Sequence, residues 1–214
     1  YMSFEEVKVK VHLDSAFRSN SEVELLAVLK QNSFLFHSLY ERKFGIQPNF
    51  AEVAFGSKYR CDFCWLNDNS DGPEWILIEV ERPNVRLFNQ IGDPTAELNH
   101  AIEQVKSWDR YFQQHPAEKN RVFGAVSRFR FVLVAGRRGE WNSKHAAKWR
   151  SFHNSNSNIE IHSTDVFYDA LEHYSKYKDS FWSFEENPVS LKAKDLEANW
   201  SESEYIGHWR NILI

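Results

Sequence analysis

Tyr59-Arg60-Cys61-Asp62-Phe63-Cys64-Trp65-Leu66, Asn67-Asp68-Asn69-Ser70-Asp71-Gly72-Pro73 and Glu74-Trp75-Ile76-Leu77-Ile78-Glu79-Val80-Glu81-Arg82-Pro83 follow one another without a break, and their reading decides the fold. The outer segments are rich in aromatic and branched residues and the middle one is dense in turn formers, which predicts an antiparallel hairpin. A turn centred between Ser70 and Asp71 sets Asp62 directly opposite Glu79. Cross-strand neighbours have Cβ atoms about 5 Å apart, and alternation puts Glu81 on the same face as Glu79. Three carboxylates are therefore expected on one patch. Opposed like charges destabilise a sheet, so the patch calls for a cation or for water. Hard carboxylate oxygens suit Mg²⁺, Ca²⁺ or Mn²⁺ better than zinc. A solvated acidic edge is the other reading of the hairpin taken alone.

Upstream, Ser21-Glu22-Val23-Glu24 has the form of a capping box opening a helix from Glu24 to Gln31. A second helical stretch is expected from Phe34 to Lys43, closed by Gly45 and Pro48, and a strand over Ala51–Phe55, closed by Gly56-Ser57. Downstream, Arg82-Pro83-Asn84 stops the hairpin, because proline has no ladder donor. Asp93-Pro94-Thr95 begins a long helix with Leu98, Ala101, Ile102, Val105, Trp108 and Phe112 at amphipathic spacing, and Pro116 ends it. On that helix Gln104 lies at the margin of the apolar stripe, where its amide can reach a neighbouring strand. A strand over Phe129–Ala135, a helix from about Asn142 to Phe152, a strand over Ile159–His162 and a helix near Asp165 to Tyr174, capped by Ser163 or Thr164, complete the pattern. Meander strands first and crossover strands later give a mixed α/β sandwich.

The 214 residues are read as one domain, with N-terminal helices over 21–48, a core over 49–180 and an extension over 181–214. The extension is acidic but keeps Trp182, Phe184, Trp200, Tyr205 and Trp209, which a disordered tail would lack. It is expected to pack on the core or to meet another subunit, so a homo-oligomer is anticipated. With 42% hydrophobic residues, 17 Phe and 8 Trp, the chain can bury a large core. No apolar run approaches the roughly 18–20 residues that span a bilayer. Tyr1 to Glu6 lacks the features of a signal peptide, and Tyr1 before Met2 reads as a tag remnant. A cytoplasmic protein with no membrane partner and no organic cofactor is expected.

Cys61 and Cys64 have no second cysteine pair to complete a zinc site. Three positions apart on a strand, they should face opposite sides, and they are read as buried thiols. The net charge of −4 conceals a block from Lys119 to Arg150 holding nine Lys and Arg against Glu140 alone. Such a block suits a polyanion-binding face, or else it is spread over several elements and solvated. No Gly-rich phosphate loop and no Ser-His-Asp or Cys-His arrangement stands out among these residues.

Strand, Asp62 on a second strand, Glu79-Val80-Glu81 on a third and Gln104 on the next helix resemble the PD-(D/E)XK nuclease superfamily. With Glu52-Val53, Arg60-Cys61-Asp62-Phe63, Ile78-Glu79-Val80-Glu81-Arg82-Pro83, Ala101-Ile102-Glu103-Gln104-Val105, Val134-Ala135-Gly136-Arg137-Arg138 and Ile161-His162-Ser163-Thr164-Asp165, the chain resembles the Shedu family over about residues 21 to 175. The nuclease domain of that family serves bacterial anti-phage defence. The resemblance implies a restriction-endonuclease-like mixed β-sheet flanked by helices. It implies a metal-dependent nuclease acting on DNA, with Mg²⁺ or Mn²⁺ on Asp62, Glu79 and the Val80 carbonyl, and with Gln104 as the accessory glutamine. Arg82, Arg137 and Arg138 are the expected contacts to nucleic acid.

Glu81 departs from the family pattern, which usually has Lys there to orient or activate the attacking water. Some restriction enzymes of this superfamily have Glu at that place and still cleave. Glu81 would then help hold a second metal or accept the proton of a water whose pKa the metal lowers. Lys58 and Lys106 are other cations for the missing role. The alternative is a catalytically degenerate nuclease-fold module that binds nucleic acid or mediates assembly.

Overall fold

A computed structural model describes residues 6–214; the readings made on residues 1–5 lie outside the described residues. Six strands, β1 (Phe50–Phe55), β2 (Tyr59–Asn69), β3 (Gly72–Val80), β4 (Arg128–Val134), β5 (Ile159–His162) and β6 (Leu191–Lys192), form one sheet in the order β5-β4-β3-β2-β1-β6. The first three are an antiparallel meander. β4 and β5 add to β3 in parallel, and β6 adds in parallel to β1.

The hairpin register runs from Phe63 opposite Ile78 to Asn69 opposite Gly72, which centres the turn between Ser70 and Asp71 as expected, but the ladder stops at Phe63 and Ile78 and the predicted pairing of Asp62 with Glu79 is not formed. The strands are longer than predicted, because polar residues assigned to the turn satisfy one another inside the ladder. The Asn67 amide donates to buried Glu74 at 2.9 Å, and Gly72 takes a φ of 125° that lets the chain reverse in two residues.

The helices are α1 (Glu6–Ser19), α2 (Glu22–Gln31), α3 (Ala96–Gln114), α4 (Pro116–Phe123), α5 (Arg138–Trp141), α6 (Lys144–Asn156), α7 (Val166–Lys176), α8 (Trp182–Glu186), α9 (Leu196–Ser201) and α10 (Glu204–Leu213). They cover both faces of the sheet, so β3 is buried along its whole length. Trp75 and Leu77 of β3 face Val105, Trp108 and Phe112 of α3. Ile76, Ile78 and Val80 face the layer holding α1, α2 and α7. The six apolar positions predicted on α3 are all buried, and the Thr95 hydroxyl caps it by accepting the Leu98 N–H at 3.2 Å.

Several expectations are corrected. The Ser21 hydroxyl accepts the Glu24 N–H at 3.2 Å, but Glu24 turns its carboxylate to the Ser19 hydroxyl at 3.0 Å instead of closing a capping box. In place of a helix over 34–43 there is one 3₁₀ turn, Ser33–Phe36, followed by irregular chain. Phe34, Leu35 and Phe36 are all fully buried, so this segment has no polar side to present and acts as an apolar plug beneath the sheet. Pro116 ends α3 and also opens α4 at its first turn, where a missing N–H costs nothing. The helix predicted from about Asn142 to Phe152 is α6, which starts at Lys144 and runs on to Asn156, with the short α5 before it. Asp165, not Ser163 or Thr164, takes the cap position of α7, because the Thr164 hydroxyl is spent on the Pro83 and Gly136 carbonyls, both at 3.0 Å.

Cys61 and Cys64 are free and buried, but they share one core layer instead of facing opposite ways. The extension does pack on the sheet: Phe181, Phe184, Trp200 and Ile206 are buried, and the Trp200 indole donates to the Val122 carbonyl at 3.0 Å. No helix among the described residues is long and apolar enough to cross a membrane.

Candidate active site

Where β2 begins and β3 ends, a cleft of about 850 Å³ opens between the sheet, the start of α2 and the middle of α3. Asp62, Glu79, Glu81 and Gln104 all line it. Asp62 and Glu79 are nearly enclosed, at 7% and 9% exposure, although both are acids. The Asp62 carboxylate accepts the Val80 N–H at 2.8 Å. One oxygen of Glu79 takes the side-chain amide of Gln104, while the other, Oε2, is buried with no hydrogen-bond partner. A buried polar atom without a partner is costly.

Burial and crowding hold all three carboxyls above their usual range. Burial lifts Asp62 to about 7 against the pull of the Val80 N–H, with the Glu22 charge adding to the rise. Burial, then the charges of Asp62 and Glu81, push Glu79 well up. Burial, then Glu22 and Glu97, lift Glu81 to about 7. The Arg60 charge pulls Asp62 and Glu79 back only in part, so the cluster still lacks a balancing opposite charge. The bare Glu79 oxygen, the neighbouring Asp62 carboxylate and the hard oxygen chemistry of both fit a divalent cation. The expected gathering of three acids is looser than predicted: among the described residues no three Asp, Glu, His or Cys side chains form a ready cation cage. Glu81 stands one residue beyond the end of β3, with its N–H on the Val134 carbonyl at 2.9 Å, and is only half-buried.

Glu22 is a wall residue that the sequence did not bring forward. An acid in the first turn of a capped helix is already explained by the helix dipole, which masks any second role. Lys58, in the β1–β2 turn, and Arg60 also line the cleft, and His100 of α3 stands by Glu81. Lys106 does not: it turns to Glu103 at 3.3 Å on the outer side of α3.

The basic block does not make one face. Arg128 is held by Glu74 at 2.7 Å and Asp71 at 2.8 Å, Arg130 by Glu160 at 2.6 Å, and Arg121 by Glu118 at 2.7 Å. Arg137 forks onto Asp165 at 2.7 Å and lies over the Phe17 ring, and Arg138 pairs with Asp169. Outside the block, Arg82 pairs with Glu97. Apart from the Arg121–Glu118 pair within α4, these side chains link separate segments of the domain.

Residues 19–171 match the model of the family described as Shedu protein SduA, C-terminal. The chain belongs to this family. Glu22, Asp62, Glu79, Glu81 and Gln104 of the Shedu domain all lie inside the matched residues. Among solved structures, the domain is similar to restriction endonuclease FokI at 14% identity and a TM-score of 0.44, over 89% of this chain and 32% of that one. It is similar to FokI bound to DNA at 16% identity and a TM-score of 0.42, over 89% of this chain and 31% of that one. The Shedu chain thus spans about a third of the length of either structure. No curated protein matches it.

Proposed function

We propose that the cleft is the active site of a metal-dependent nuclease that hydrolyses DNA phosphodiester bonds in defence against phage. The observation that carries this reading is the Glu79 carboxylate, with one oxygen fixed by Gln104 and the other buried and bare beside Asp62. Asp62, Glu79 and the Val80 carbonyl would hold Mg²⁺ or Mn²⁺. Once bound, the cation neutralises charge on the phosphoryl group and acidifies water. Gln104 orients Glu79. The Glu81 carboxyl, raised to about 7, is matched to accept a proton from water near neutral pH. Lys58 and Arg60 stand at the cleft wall, where a phosphate backbone would pass, while Arg82, Arg137 and Arg138 would contribute only by exchanging their carboxylate partners for phosphate.

Incubating the purified chain with plasmid and phage DNA, with and without Mg²⁺ or Mn²⁺, beside Asp62→Ala and Glu79→Ala, tests the reading. Metal-dependent cutting lost in both variants is expected; equal cutting by all three proteins would overturn it.

One feature favours a second reading: Glu81 stands where the family pattern has a cation, and no three acids form a ready cage. A degenerate module would bind DNA with a steep salt dependence from counterion release and give no metal-dependent product. Of the aromatic extension, Phe181, Phe184 and Trp200 are buried within the chain, while Trp182 and Ile212 to Ile214 stay exposed and available for assembly.

A further inference from the structure

Among the described residues Glu52 is the only non-glycine inside a strand with a left-handed backbone, at φ 58°. L-residues other than Gly, Asn and Asp rarely take this conformation, and where they do the surroundings impose it. Here it coincides with a break in two ladders. β1 and β2 pair Ala51 with Phe63 and Val53 with Cys61, skipping Glu52 and Asp62. Side-chain alternation slips at the same place: Phe50 and Val53 lie in one core layer, and so do Cys61 and Cys64, although each pair is three residues apart. A regular strand would put such pairs on opposite faces. The β2–β3 pairing also stops at Phe63 and Ile78. Past that point the Val80 N–H is taken by the Asp62 carboxylate at 2.8 Å. The Glu52 carboxylate bridges Lys30 of α2 at 2.8 Å and Arg60 of β2 at 3.5 Å, and Arg60 itself lines the cleft.

We infer that Glu52 is a positioning residue for Asp62. Its left-handed backbone breaks the β1–β2 ladder and turns the Asp62 carboxylate onto the Val80 N–H and into the cleft. Irregularities of this kind re-aim a side chain at the cost of local pairing, and they gather beside functional sites. The orientation of Asp62 stands on the geometry alone; its consequence for a bound cation rests on the proposed nuclease reading.

The test compares Glu52→Gly and Glu52→Val in the full chain by two readouts: hydrogen exchange of the Val80 amide, and Mn²⁺ affinity by calorimetry. Glycine adopts the left-handed region freely, so Glu52→Gly should keep both within about twofold of wild type. Valine resists it, so Glu52→Val should lose about tenfold in Val80 protection and about tenfold in Mn²⁺ affinity, the scale of a disturbed ligand support. A folded Glu52→Val with wild-type Val80 protection overturns the inference. If Glu52→Val does not fold, Glu52→Ala replaces it, and identical behaviour of the Ala and Gly variants overturns it equally. Failure of wild type to bind Mn²⁺ would sink the metal reading alone, leaving the Val80 amide to decide the role of Glu52.

Discussion

Gln104 on α3 donates its amide to one oxygen of Glu79 on β3 and leaves the other oxygen bare, so a helix fixes the strand carboxylate from one side only. A hydrogen bond to a charged group contributes about 1.5–3 kcal/mol. Gln104→Leu removes that donor, so Glu79 should hold its proton more tightly. Mn²⁺ affinity near pH 7 should fall about tenfold or more. Titration calorimetry reads this directly, and unchanged affinity would leave Gln104 a packing residue.

Stability should depend on pH in the sense opposite to that of most carboxylates. Asp62 and Glu81 rise to about 7 in the folded chain, whereas unfolded carboxylates titrate near 4. Between those values the folded state binds more protons than the unfolded one. Their contribution is therefore most favourable below the unfolded value and is lost as pH rises through the folded value. Metal-free protein should melt lower at pH 8 than at pH 5. Asp62→Asn should flatten that difference, and Mn²⁺ at pH 8 should raise the melting temperature again by binding the deprotonated acids. Calorimetric scans with and without metal check all three.

Glu81→Lys would place a cation where burial, then Glu22 and Glu97, now raise a carboxyl to about 7. Removal of a like charge beside Glu79 should lower the Glu79 pKa. Cleavage of plasmid DNA at neutral pH should slow about a hundredfold as the proton acceptor is lost, the low end of what a positioned acid–base group supplies. A faster variant would instead show that a cation serves the reaction better there than the Glu81 carboxylate.

Lys58 and Arg137 should part company under substitution. Lys58→Met, in the cleft turn, should reduce the slope of log affinity for duplex DNA against log salt by about one, as for a single lost phosphate contact. Arg137→Met should leave that slope unchanged and lower the melting temperature, because it removes the fork onto Asp165 and the stacking on Phe17. Fluorescence anisotropy over a salt series separates the two.

The hairpin and α3 were legible because their signals are local. Turn formers between branched runs set the register, and Thr95 with a regular apolar stripe marked the helix. Those two elements bring β2, β3 and α3 to one cleft, but the ladder stops at Phe63 and Ile78, short of the predicted pairing of Asp62 with Glu79. α1 carries an equally usable stripe in Val9, Leu13, Ala16 and Phe17, all of them buried. Other features lay beyond local pattern. Arg128 meets Glu74 and Arg137 meets Asp165 across long stretches of chain, so a block dense in sequence is dispersed in space. The slip at Glu52 has no cue either, since glutamate does not advertise a left-handed backbone. Asp62 reaches the cleft through that slip, and Cys61 and Cys64 share a layer because of it.

β6 is two residues long, yet Leu191 and Lys192 occupy the outer rim of β1 beside Phe50 and Ala51. A bare rim strand is a template on which foreign backbone can crystallise out. The chain stoppers that rim with its own later segment, leaving the short β5 at the opposite flank. That clasp closes the ladder at Phe50 and Ala51, the end of β1 that leads into the irregular backbone at Glu52.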